Sequence, residues 1–142
     1  MSEAHFERIR PGLTGECRLI VERTNTAAHL GSGGVEVLAT PEMVRLMERA
    51  AVAAGDPLLP AGYVTVGIHL DVSHLAPTPV GVEVVAQAEL VAVEGRKLTF
   101  RVEARDAYEL VGRGTHQRMI VDLQRFRDRL RTKGPQRDNV DR

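Results

Sequence analysis

Apolar residues recur at two different spacings along this chain, and the change of spacing predicts its elements. Met43, Leu46, Met47, Ala50, Ala51 and Ala54 repeat at helical intervals, with Val44 and Val52 widening the stripe on one flank. Only Glu42, Arg45 and Arg49 form a clearly polar arc, so this helix is expected to be buried on most sides. Thr40 suits its N-cap and Pro41 its first position, where a missing N–H costs nothing; Gly55-Asp56-Pro57 supplies the stop. From residue 64 onward the period becomes two. Val64, Val66, Ile68, Leu70, Val72 and His74 share one parity against Thr65, Gly67, His69, Asp71 and Ser73. "APTPVG" breaks that ladder, and residues 82 to 93 resume it with Val and Ala. Glu94-Gly95 is a hairpin signal, after which Leu98, Phe100, Val102 and Ala104 alternate with Thr99, Arg101, Glu103 and Arg105. A first strand near 16–23, a last one near 108–122 and a helical "LQRFRDRLR" complete the pattern. One helix, apolar nearly all round, followed by an antiparallel meander predicts an α+β fold in which a sheet curls around the helix.

Composition narrows this picture without redirecting it. The 142 residues suit a single domain over 1–132, and the polar "KGPQRDNVDR" at 133–142 reads as a flexible tail. Aromatic residues make up 4% and Trp is absent, so the core must be built from Val, Leu, Ala and Met. Nineteen basic residues balance nineteen acidic ones, which argues against a nucleic-acid partner, because phosphate neutralisation needs a basic excess. No run approaches the roughly 18 apolar residues of a membrane helix, and the polar start does not resemble a secretory signal. The expectation is a cytoplasmic protein with no membrane partner. Cys17 has no second cysteine and reads as a half-buried strand residue.

Three polar groups stand where the pattern expects packing. Thr40 is explained by capping alone, and Glu48 by an edge pairing with Arg45 or Arg49. His74 is the sharper sign, since it ends the apolar parity of its strand just where the chain breaks. A helix carboxylate and a strand-end imidazole that both face inward could meet where helix and sheet pack, and serve as base or nucleophile. Other chemistries are weaker. The five histidines show no H-x-x-x-H or H-E-x-x-H spacing, so no metal or other cofactor is expected. His69, Asp71 and Ser73 share a strand face but point the same way and lack the convergence of a hydrolase triad. The "GSGG" at 31–34 has no Lys-Ser/Thr after it and reads as a connecting loop rather than a phosphate loop.

Together, "ATPEMVRLMERAA", "VSHLAPTPVG", "AELVAVEGRKLTF" and "GRGTHQRMIV" resemble the fluoroacetyl-CoA thioesterase family of hot-dog proteins, over roughly residues 35 to 130. The resemblance implies a hot-dog fold, a homodimer, and metal-free hydrolysis of an acyl-CoA thioester. It implies catalytic roles for Thr40, Glu48 and His74, and substrate contacts for Gly67, through its backbone N–H, and Arg118. Read as residues alone, Gly67 could equally ease strand bending and Arg118 lie on a surface strand. The chain also departs from the family's fluoroacetate specialist. That enzyme carries a phenylalanine-rich lid before its Ala-Thr, where this sequence has "HLGSGGVEVL". A short- or medium-chain acyl group other than fluoroacetyl is therefore the expected substrate. A non-catalytic acyl-CoA-binding or regulatory domain is the alternative; a hydratase is disfavoured because its Asp/His loop is missing.

Overall fold

A computed structural model describes residues 6–135. Five strands, β1 (Thr14–Ile20), β2 (Tyr63–His74), β3 (Glu83–Glu94), β4 (Lys97–Arg105) and β5 (Leu110–Asp122), form one antiparallel sheet in the order β1-β3-β4-β5-β2. Between β1 and β2 the chain makes a short helix α1 (Ala27–Leu30) and the long helix α2 (Thr40–Gly55); α3 (Leu123–Arg131) follows β5. The expected tail falls mostly outside the described residues. Among those described, no helix is long and apolar enough to cross a membrane.

The apolar stripe of α2 is what the sheet wraps. Met43, Leu46, Met47, Ala50, Ala51 and Ala54 are all buried, against inward rows from β3 (Val84, Ala86, Ala88, Leu90) and β4 (Leu98, Phe100, Val102, Ala104). Helix and β4 therefore form as the periodicity predicts. Removing the side chain of Phe100, the largest fully buried residue, would leave a cavity costing about 3–5 kcal/mol.

Two local expectations are corrected. Thr40 is not the N-cap of α2: Ala39 holds that place in extended backbone, and its carbonyl accepts from the N–H groups of Glu42 and Met43. Thr40 thereby begins the helix with its hydroxyl free for another partner. In β2 the single parity does not survive, because the register against β5 shifts between Gly67 and His69. Such a bulge inserts a residue and reverses which side chains face the core. Before it, Thr65 and Gly67 face α2, while Val64 and Val66 turn outward opposite Val121 and Met119. After it, Leu70, Val72 and His74 face α2, as the pattern had it. The strand thus presents Gly67 and His74 on one face despite their opposite parity.

Candidate active site

The first turn of α2 and the end of β2 place Thr40 against His74, with Oγ1 2.7 Å from Nδ1. The pair lines an open cleft of about 270 Å³, together with Val37, Leu38, Leu75 and Ala76. Ser32 adds a third polar group, the rest of the lining is aliphatic, and no Phe, Tyr or Trp is among the described residues that form it. Burial of the His74 ring lowers its pKa, opposed by the Ala76 backbone, which approaches without making a well-formed hydrogen bond to the buried Nε2. A neutral imidazole with one hydroxyl contact can take up and return a proton.

Glu48 lies two turns further along α2, about 12 Å away at the rise of an α-helix. It has no ion pair with Arg45 or Arg49 and does not reach His74 within the chain. It sits instead over Gly67 on β2, its Oε2 4.0 Å from Arg118 Nη1, with 42% of its side chain exposed. A Cβ at position 67 would stand 3.0 Å from Glu48 Oε2, 3.2 Å from His116 Cε1 and 3.4 Å from Arg118 Nη1. Glycine keeps this gap open. Arg118 is not a surface residue: it is 7% exposed and lies on the inward face of β5. Its Nε donates to Thr65 Oγ1 at 2.7 Å and Nη2 to the Thr65 carbonyl at 3.0 Å. Thr65 in turn donates its hydroxyl to Asp56 Oδ1 at 2.6 Å, and its N–H to Oδ2 at 3.1 Å.

The structure therefore joins Thr40 to His74 and Glu48 to Gly67 and Arg118, as two half-sites at separate points along α2. Three members were not singled out from sequence: Asp56, Thr65 and His116. The detectable signal was the "THQRMI" alternation of β5, which sets two polar residues, His116 and Arg118, on the parity of buried Ile120. Thr65 was hidden by the bulge. The larger concavity, about 500 Å³ between Thr14, Gln87 and Glu103, lies on the outer face of the sheet, away from α2. Its charged groups are all taken up in ion pairs, Arg101 with Glu89 at 2.8 Å, Glu16 with Arg18 and Glu103 with Arg105, so it carries no comparable chemistry. Among the described residues, no three His, Cys, Asp or Glu side chains gather as a metal would need.

Burial lowers the pKa of His116 as well, helped by the nearby Arg118 cation and opposed by the His69 carbonyl and Glu48. Both histidines thus stay neutral in the fold at a pH where an unfolded imidazole, of pKa about 6.5, takes a proton. Above that pH neither state is protonated and the shifts contribute nothing. As pH falls below about 6.5 the unfolded chain gains protons first, so stability declines until the lowered folded values are passed. Thermal unfolding from pH 8 to 5 is expected to show this acid-side loss, and His116→Gln to reduce it.

The chain is similar to known proteins over most of its length. The profile of a family described as fluoroacetyl-CoA-specific thioesterase matches residues 21–124. A fluoroacetyl-CoA thioesterase of Streptantibioticus cattleyicolor is 45% identical over 100 residues, covering 70% of this chain and 72% of that protein. The solved structure of the fluoroacetyl-CoA thioesterase FlK superposes with a TM-score of 0.82 at 38% identity, covering 89% of this chain and 98% of that one. A hot-dog-like protein from Thermanaerovibrio acidaminovorans gives 0.81 at 25% identity, over 88% and 93% of the two chains.

Proposed function

This chain belongs to the fluoroacetyl-CoA-specific thioesterase family, and from that membership we propose that it hydrolyses a short- or medium-chain acyl-CoA at a site made of Thr40, Glu48 and His74. The observation that carries the reading is the Thr40–His74 pair in the lining of a partly aliphatic cleft, with Thr40 on the same helix as the half-exposed Glu48 carboxylate. The acyl group occupies that cleft, whose Val37 and Leu38 suit an alkyl chain better than a fluoromethyl group held by aromatic walls. Glu48 delivers oxygen to the thioester carbonyl, either as a mixed anhydride or through a water it deprotonates. In the anhydride route the C–O bond to Glu48 forms as the C–S bond breaks and CoA leaves as thiolate. Water, losing a proton to His74, then cleaves the anhydride to release the acid and free Glu48, and His74 passes that proton to the CoA sulfur. In the water route Glu48 takes the proton as hydroxide adds to the carbonyl, the C–S bond breaks, and the proton passes from Glu48 by way of His74 to the sulfur. Arg118 and the backbone N–H at Gly67 face the developing negative charge. No metal enters this scheme.

The two half-sites complete each other in a homodimer. β2 is an edge strand, and Leu70 on its helix-facing side is still 37% exposed, with Ile68 and Leu75 also exposed beside it. An unpaired, apolar edge is a template for a second copy. Antiparallel pairing of β2 with its copy about a two-fold through Asp71, with the extra residue of the bulge at 68 left out of the count, sets Gly67 opposite the partner's His74, on the same face. Glu48 of one chain then meets the Thr40–His74 pair of the other.

The test is a panel of acyl-CoAs from two to ten carbons, followed by release of free thiol without added metal. Turnover that peaks on unsubstituted alkyl chains is expected. Thioesters that bind tightly but are recovered intact by mass spectrometry would instead mark a non-catalytic acyl-CoA-binding domain.

A further inference from the structure

His116 is the most enclosed polar side chain near the half-site, 1% exposed, yet the reaction above gives it no task. Its hydrogen bonds fix its chemistry. Nδ1 is 2.9 Å from the His69 carbonyl, which can only accept, so Nδ1 carries the proton and Nε2 presents a lone pair. Arg118 Nη1, 3.0 Å from Nε2, donates to it. The opposite side of the guanidinium is equally constrained. Because the Thr65 hydroxyl gives its proton to Asp56, its lone pair must receive Arg118 Nε–H. Every neighbour of the guanidinium in this network is thus forced to act as acceptor. The cation cannot swing away from the Gly67 gap, where Glu48, His116 and Arg118 converge. The carbonyl that orients His116 belongs to the bulge itself, at His69, so the backbone irregularity and the fixed cation form one device.

We propose that His116 is a positioning residue: as a neutral acceptor it holds the Nη1 edge of Arg118 at the Gly67 gap, and Arg118 in turn holds the Glu48 carboxylate. The inference rests on the reading that Glu48 delivers the oxygen. It assigns His116 no proton transfer.

Two amide variants separate positioning from simple structural support. A glutamine at 116 places its amide near the Nε2 position, where its oxygen still accepts from Arg118. An asparagine reaches only the Nδ1 position, where it still donates to the His69 carbonyl but leaves Arg118 Nη1 without that acceptor. Positioning predicts that His116→Asn lowers kcat, by up to about 100-fold as expected for a misplaced reacting group, with KM changed less than about threefold. His116→Gln is expected to keep kcat within about threefold of wild type. Equal losses in both variants, or a greater loss in Gln, would overturn the proposal. Crystal structures of the two variants give a readout independent of turnover. In Asn the guanidinium and the Glu48 carboxylate should leave the Gly67 gap, and in Gln they should stay. A wild type inactive on every acyl-CoA would sink the thioesterase reading while leaving that structural result to be judged alone; unmoved Arg118 and Glu48 in the Asn variant would sink the positioning role.

Discussion

Glu48→Gln is expected to lower kcat for acyl-CoA hydrolysis by roughly 10²- to 10⁴-fold, the range for losing a catalytic base or nucleophile. Glutamine matches the carboxylate in shape but neither attacks a carbonyl nor takes a proton from water. The substitution therefore removes both routes by which Glu48 can deliver oxygen. Its effect on stability should be small, within about 0.5 kcal/mol, because the side chain is substantially exposed. Arg118 keeps its bonds to Thr65 and His116, so the half-site retains its shape without the carboxylate. Thiol-release kinetics with thermal unfolding on the same preparation checks both halves of this expectation. A folded variant with wild-type kcat would remove Glu48 from the chemistry.

A large loss of stability, comparable to that from emptying the Phe100 site, is expected at Gly15, in the edge strand β1. A Cβ there would overlap the Ala50 carbonyl oxygen and the Ala54 nitrogen. These are backbone atoms of α2, not side-chain tips that can rotate away. Gly15→Ala must lift the helix or push β1 outward, against a core in which Ala50, Ala51 and Ala54 are already buried. Overpacking of this kind costs typically 1–3 kcal/mol, and here about 3 kcal/mol or more. The consequence reaches the chemistry, because the seating of α2 sets the distance between Glu48 and the Gly67 gap. A lower unfolding midpoint accompanied by reduced kcat is expected; unchanged stability would mean that β1 yields freely.

Much of this was legible in the order of residues, and the illegible parts have physical causes. The stripe of α2 and the alternation of β4 report burial directly, since each depends only on one element lying against one core. β2 misleads because its bulge is set by pairing with β5, a long-range event that its own alternation does not encode. Val64 and Val66 look inward by pattern, yet Thr65 takes that side because Asp56 satisfies its hydroxyl and N–H. Thr40 shows the same limit at a smaller scale. Its residue type fits a cap, but Ala39 takes the cap and releases the hydroxyl to His74. The family resemblance singled out Thr40, Glu48 and His74 together. It could not show that one chain holds them as two halves about 12 Å apart along a helix.

Mixed dimers test most directly whether the two separated halves are joined between chains. Glu48→Gln and His74→Ala chains, carrying different affinity tags, are co-expressed and the heterodimer is purified through both tags. If Glu48 of one chain works with the partner's His74, one of the two sites in the heterodimer unites both wild-type residues. The heterodimer is expected to recover about half the wild-type kcat per dimer, while each parent homodimer stays at least about 100-fold below wild type. A heterodimer no more active than its parents would contradict the shared site.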